Sequence, residues 1–286
     1  MKDLFSDSGE YLLRLNPTHS DQLTAPEQYS EYTILFIAKG KGIFHADWAT
    51  YEYEGPVLLF STPLQLIYLD QVVPAPVSVL QFHGDFYCIE YHRKEVACNG
   101  LLFNNLYVQP CIKLSAHEAN LFQQLLADML GEFDQEQPAE LVLRAYLQLF
   151  LAKASTIKLK LIGDNRDRTE KDEQMEQFSR LLEQHFLSLH KPNDYAQLLA
   201  MSPNNFSKRC MRYFKRTPSQ MIQERLVLEA KKQLHLTRQS IKEIAYNLKF
   251  QDEFYFSRFF KKLTQVSPQS FRNKIGISIV ADLSKQ

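Results

Sequence analysis

Two hydrophobic periods divide the chain. From residue 31 to about 83 the apolar positions come in short runs of β-branched and aromatic residues, at 32–38, 42–53, 57–60, 66–69 and 77–82. Lys39-Gly40-Lys41-Gly42 and Gly55-Pro56 interrupt them as turns. Many short strands at this spacing predict a small all-β sandwich or barrel over about residues 20–112. The period then changes. Ser115-Ala116-His117-Glu118 is a capping box, in which each side chain can satisfy a backbone amide at the other end. Leu121, Leu125, Leu126 and Met129 follow at helical spacing, and Pro138 opens a second helix with Leu141, Ala145, Leu149 and Ala152 on one face. These two helices, over about 115–161, need an apolar surface to cover them. Either the barrel or a second subunit can supply it.

Residues 163–174 (GDNRDRTEKDEQ) carry no large apolar side chain and read as a linker. It divides the chain into an N-terminal domain, 1–162, and a wholly helical one, 175–275. The second contains a repeat. Tyr195, Ala196, Leu199 and Met201 match Ile244, Ala245, Leu248 and Phe250 at an offset of 49. Beyond the turn the offset becomes 50: Phe206 answers Phe256, Cys210 answers Phe260, and Thr217-Pro218 answers Ser267-Pro268. Each copy has the grammar of a helix-turn-helix, the first over 192–213 and the second over 241–263. A small residue, Ala196 or Ala245, lets two helices cross closely. Ser202 before Pro203 starts a new helix with a capping hydroxyl and a proline at its first position. Gln251-Asp252 takes that place in the second copy, and Ser240 with Glu243 forms another capping box. Residues 218–235 read as one helix about 27 Å long. That suits a strut holding two recognition helices about one DNA turn, roughly 34 Å, apart.

The face of each second helix opposite its buried pair is what a major groove would meet. In the first copy it carries Asn204, Ser207, Lys208 and Met211, and in the second Phe254, Ser257, Arg258 and Lys261. Lys and Arg can bond guanine O6 and N7, Asn can read adenine, and an exposed Phe can touch a thymine methyl. Arg212, Ser257, Lys261, Lys262 and Arg272 are placed for phosphates.

Charge agrees with this division. The 286 residues carry 33 basic and 33 acidic side chains, a net charge of zero. Residues 171–286 hold 20 of the basic and 11 of the acidic ones, a net of +9, which leaves −9 on the rest. A basic half can neutralise phosphates, and an acidic half is repelled by them. Cys88, Cys98, Cys111 and Cys210 match no metal or redox spacing, and free thiols fit a cytoplasmic protein. No signal peptide or membrane span is expected.

At the residues of the repeat the sequence resembles the AraC/XylS family of transcriptional regulators. The resemblance rests on 222–231 (IQERLVLEAK), 240–246 (SIKEIAY), 255–262 (YFSRFFKK) and 267–272 (SPQSFR). It implies a seven-helix domain that reads double-stranded DNA through Asn204, Ser207 and Lys208 in one recognition helix and Phe254, Tyr255 and Arg258 in the other. The family pattern has glycine where this chain has Lys215, Lys249 and Gln265. Glycine there ends helices with positive φ, so each replacement costs roughly 1 kcal/mol. The stretches 37–43, 53–57, 60–63 and 98–104 resemble the family's cupin-like sensor domain. The implied fold is α+β with two domains: an N-terminal cupin-like barrel with a helical hairpin and a C-terminal tandem helix-turn-helix. The implied partners are DNA, a second copy of the chain, RNA polymerase and a small-molecule effector.

Two other readings remain open. One is a DNA-binding regulator without an effector, its barrel used only for dimerisation. The other is a cupin-type metalloenzyme, which would need converging ligands. His45, His83 and His92 form no H-x-H cluster, so neither metal nor cofactor is expected, and no catalytic residue is assigned.

Overall fold

A computed structural model describes residues 2–6, 9, 11–47, 49–87, 101–103, 106–166 and 172–277. Cys88, His92 and Cys98 lie outside these, as does most of the 98–104 stretch. The chain forms two compact units, one of residues 1–105 and 109–163, the other of 106–108 and 164–286.

The first unit is built on two antiparallel sheets and two helices. The larger sheet orders its strands β1 (Lys2–Phe5), β2 (Tyr11–His19), β9 (Pro76–Phe82), β4 (Tyr32–Ile37), β7 (Val57–Ser61) and β10 (Cys111–Lys113). The smaller orders β3 (Glu27–Gln28), β8 (Leu66–Val73), β5 (Lys41–Ala46) and β6 (Ala49–Glu54). The run expected over 42–53 is thus a hairpin of two strands. The larger sheet also takes in Lys2–Phe5 and Tyr11–His19, ahead of the expected start near residue 20.

The larger sheet is the middle layer of three. Alternate residues of a strand point to opposite faces. Leu35, Ile37, Leu59, Val77 and Val79 pack on Phe44, Tyr53, Ile67 and Leu69 of the smaller sheet. Ile34, Phe36, Leu58, Phe60, Leu80 and Phe82 pack the other way, against helices. Burial on both faces is why β4 and β7 read as unbroken apolar runs.

The covering helices are α1 (Ala116–Phe133) and α2 (Glu140–Arg166). The Ser115–Glu118 capping box opens α1. Phe122, Leu125, Leu126 and Met129 of α1 join Leu143, Leu147, Phe150, Leu151 and Ala154 of α2 in one cluster with the sheet. A fully buried side chain of this size contributes about 1.5–3 kcal/mol. The larger sheet therefore supplies a covering surface for both helices. It does not cover the α2 face expected to be buried: Leu141 is 77% exposed and Leu149 43%. The helix has two apolar stripes, and the inner one is offset from the expected one by two residues. It also runs on through Gly163 to Arg166, into the stretch 163–174 expected as a linker.

Lys158 is buried on the inner side of α2. Its ammonium donates to the Gln109 carbonyl at 2.6 Å and the Cys111 carbonyl at 2.7 Å. These bonds pin the helix beside β10. Burial pushes the Lys158 ammonium down to about 8 from its ordinary 10.5.

The second unit contains seven helices among the described residues: α3 (Glu173–His185), α4 (Pro192–Leu198), α5 (Pro203–Phe214), α6 (Pro218–Leu236), α7 (Ile241–Asn247), α8 (Glu253–Thr264) and α9 (Pro268–Ile275). The repeat is α4–α5 against α7–α8, and its backbone is copied closely. In the turn after α4, Met201 N–H donates to the Ala196 carbonyl and Ala200 N–H to that of Gln197, at 2.8 and 3.0 Å. After α7, Phe250 and Lys249 repeat those bonds to Ala245 and Tyr246, both at 3.0 Å. This helix ending places its penultimate residue in the left-handed region, and Ala200 and Lys249 have φ of 52° and 62°. The ends of α5 and α8 also match. Lys215 and Gln265 have φ of 58° and 64°, and their amides donate to Met211 and Lys261. The three positions where the family pattern has glycine therefore keep a glycine backbone without glycine.

Two outcomes are expected. Ala200→Gly, K215G, K249G and Q265G should each raise stability by about 0.5–1 kcal/mol in urea denaturation. Ala200→Gly is the sharpest case, since the same change inside a helix costs about 1 kcal/mol; a loss at Ala200 would refute the strain. Between pH 8 and 10.5 the unfolded chain holds the Lys158 proton and the folded one releases it. Stability from this group therefore rises with pH across that window. Relative to K158M, the wild type should gain roughly 2–3 kcal/mol from pH 7 to 10.5.

Candidate nucleic-acid interface

Each recognition helix starts with a capped amide and ends on a left-handed residue, so its length and direction are fixed at both ends. Ser202 accepts from Asn205 N–H at 3.4 Å to open α5, with Pro203 as the first helical residue. Asp252 accepts from Tyr255 N–H at 2.6 Å to open α8. Ser240 and Glu243 close a full capping box on α7, and these bonds hold the Glu243 carboxyl below its ordinary range.

The inner face of each helix is anchored by an i, i+4 pair. Phe206 and Cys210 of α5 are fully buried, as are Phe256 and Phe260 of α8. Phe206 packs edge-on to Phe178 of α3, with centroids 4.8 Å apart, and Phe260 edge-on to Phe271 of α9 at 5.7 Å. Burial pushes the Cys210 thiol up to about 12, so at neutral pH it is an apolar filler.

The opposite faces are open. Asn204, Ser207, Lys208, Met211 and Arg212 are all exposed on α5. On α8, Phe254 is 67% exposed and Tyr255 51%, with Arg258, Lys261 and Lys262 exposed beside them and Ser257 half-buried. The Tyr255 ring leans toward Phe250, with centroids 5.8 Å apart. Arg212, Lys261 and Lys262 lie in the last turns, where cations also suit the helix dipole.

Arg272 differs from the other expected phosphate contacts. It is half-buried, its Nε donates to the Leu234 carbonyl of α6 at 3.1 Å, and its Nη2 is buried. It fastens α9 to α6. Arg209, not singled out in the sequence, sits on the flank of α5 in an ion pair with Asp172. Lys249, in the turn before α8, adds an exposed cation ahead of that helix.

In the first unit, the His45 ring stacks on Tyr68 with centroids 4.0 Å apart, and His83 lies 3.7 Å from Asp85. Among the described residues, no group of three or more His, Cys, Asp or Glu side chains is placed to hold a metal ion. Among them also, no helix is long and apolar enough to cross a membrane.

Residues 195–274 match a family model described as a helix-turn-helix domain. No curated protein matches the chain by sequence. Among solved structures the chain is similar to ToxT from Vibrio cholerae, at 16% identity and a TM-score of 0.40, over 92% of this chain and 98% of that one. It is also similar to the C-terminal domain of the response regulator yesN from Fusobacterium nucleatum, at 24% identity and a TM-score of 0.33, over 34% of this chain and 96% of that one. A third is a transcriptional regulator with an AraC-type DNA-binding domain from Chromobacterium violaceum, at 19% identity and a TM-score of 0.33, over 36% of this chain and 92% of that one. The family match spans both units of the repeat, so residues 195–274 of this chain are a helix-turn-helix domain.

Proposed function

We propose that the protein is a cytoplasmic, sequence-specific transcriptional regulator that binds double-stranded DNA as a homodimer. The observation that carries this reading is the pair of recognition helices. Each is anchored by two fully buried side chains, and each turns outward residues able to meet base edges. Asn204, Ser207 and Lys208 would read bases from α5, and Phe254, Tyr255 and Arg258 from α8. Arg212, Ser257, Lys261 and Lys262 would hold phosphates. We assign Arg272 to the domain's packing rather than to DNA.

The outer stripe of α2 supports dimerisation. Leu141, Ala145 and Leu149 stand one turn apart on a helix whose inner stripe is already covered. The resemblance of residues 37–43, 53–57, 60–63 and 98–104 to a sensor domain supports a small-molecule effector bound by the first unit. An effector that binds only the folded state would raise the melting temperature of the full chain in a metabolite screen.

Selection of bound fragments from genomic DNA tests the central reading, and it would return one preferred site whose binding falls steeply with salt. Recovery of no preferred site, or binding flat in salt, would sink it. On that site R258A should cost about 1–3 kcal/mol and relax preference at one base pair. R272A should instead lower folding stability by about 1–2 kcal/mol and leave base preference intact. Sedimentation of the full chain should show a dimer that L141E/L149E converts to monomer. An unchanged dimer in that variant would move the interface elsewhere.

A further inference from the structure

Arg209 follows Lys208 on α5 but leaves the outward face. Its Nε donates to Asp172 Oδ2 at 2.9 Å, its Nη2 donates to Asp172 Oδ1, and its Nη1 donates to Gln174 Oε1. The two charged side chains are only 26% and 11% exposed, so solvent and salt screen the pair poorly. The fork of a guanidinium on a carboxylate also fixes direction, which a single bond does not. Asp172 is tied down in turn. Its Oδ1 accepts from Met175 N–H at 3.2 Å and caps α3. Gln174 reaches on from α3 to the Leu199 carbonyl at the end of α4, at 3.4 Å. One guanidinium thus links the start of α3, the end of α4 and the flank of α5. Burial alone would raise the Asp172 carboxyl, but Arg209 and the Met175 amide hold it below the usual carboxylate range.

The second copy lacks this device. The residue 50 positions after Arg209 is Phe259, whose ring packs 5.1 Å from that of Phe250. There an aromatic contact holds the flank of the recognition helix, and in the first copy a charge pair does.

We propose that Asp172 is a positioning residue for DNA recognition, setting the aim of α5 through Arg209 without touching DNA. The inference rests on the DNA-binding reading above. Its sign is opposite to that of simple electrostatics. Removing a negative charge from a protein that meets phosphates should strengthen binding. Removing the clamp should weaken binding and blur base reading in one half of the site.

D172N isolates the clamp, because Asn still caps a helix but gives Arg209 no charge. Full-length wild type, D172N and R209A are titrated against the selected site and against each single base-pair change in it. The base pairs read by α5 and α8 are those whose discrimination K208A and R258A remove. D172N and R209A should each weaken binding by about tenfold, the size of one charged hydrogen-bonded pair. The lost discrimination should be confined to the α5 base pairs, a split that general destabilisation would not produce. Equal or tighter binding by D172N with discrimination intact overturns the proposal. So does uniform weakening by R209A with a shallower salt slope, which would make Arg209 a phosphate contact. If wild type prefers no site, the DNA reading fails first and this one with it.

Discussion

The helical unit depends on α6. Helices of seven residues, such as α4 and α7, do not persist alone in water, so each helix-turn-helix must borrow a surface. The first half of α6 lends Met221, Ile222 and Leu226 to the cluster that holds Tyr195, Phe206 and Cys210. The same helix packs against α7, α8 and α9, and Ala230 and Leu234 in its second half are fully buried. Both recognition helices are therefore referred to the same rod of 19 residues, about 28 Å long. Their spacing is a property of one helix.

The copies share a backbone but not a way of being held. Both turns place a non-glycine residue in the left-handed region, and both recognition helices end on one. A strain that appears at four equivalent positions belongs to the motif, with side chains tolerated on top of it. The lateral support diverges: Arg209 with Asp172 on one side, Phe259 with Phe250 on the other. Polar support can be tuned by one charge, whereas the aromatic one changes only with shape.

What the sequence revealed and what it hid follow from the range of the interactions involved. Caps, turns and i, i+4 pairs are local, so Ser115, Ser202, Ser240 and Asp252 and the buried faces of α5 and α8 could be read directly. The strands β1 and β2 were hidden because β2 mixes Arg14, Asn16 and Pro17 with its leucines, and its pairing with β9 lies some sixty residues away. On α2, periodicity found an apolar stripe but could not tell the inward one from the outward one, because the helix carries both. The role of Arg272 depends on a carbonyl 38 residues earlier, and that of Arg209 on a carboxylate 37 residues earlier. Neither spacing leaves a mark in a linear pattern.

The position of Asp172 has a practical consequence for dissecting the protein. A fragment begun at residue 195, where the family match starts, would lack α3 and with it Met175, Phe178 and Leu182, the wall against which Phe206 packs. One begun at residue 175 would keep that wall yet sever the acid that grips α5. On the proposed DNA-binding reading, such a piece would misreport which bases the full chain prefers.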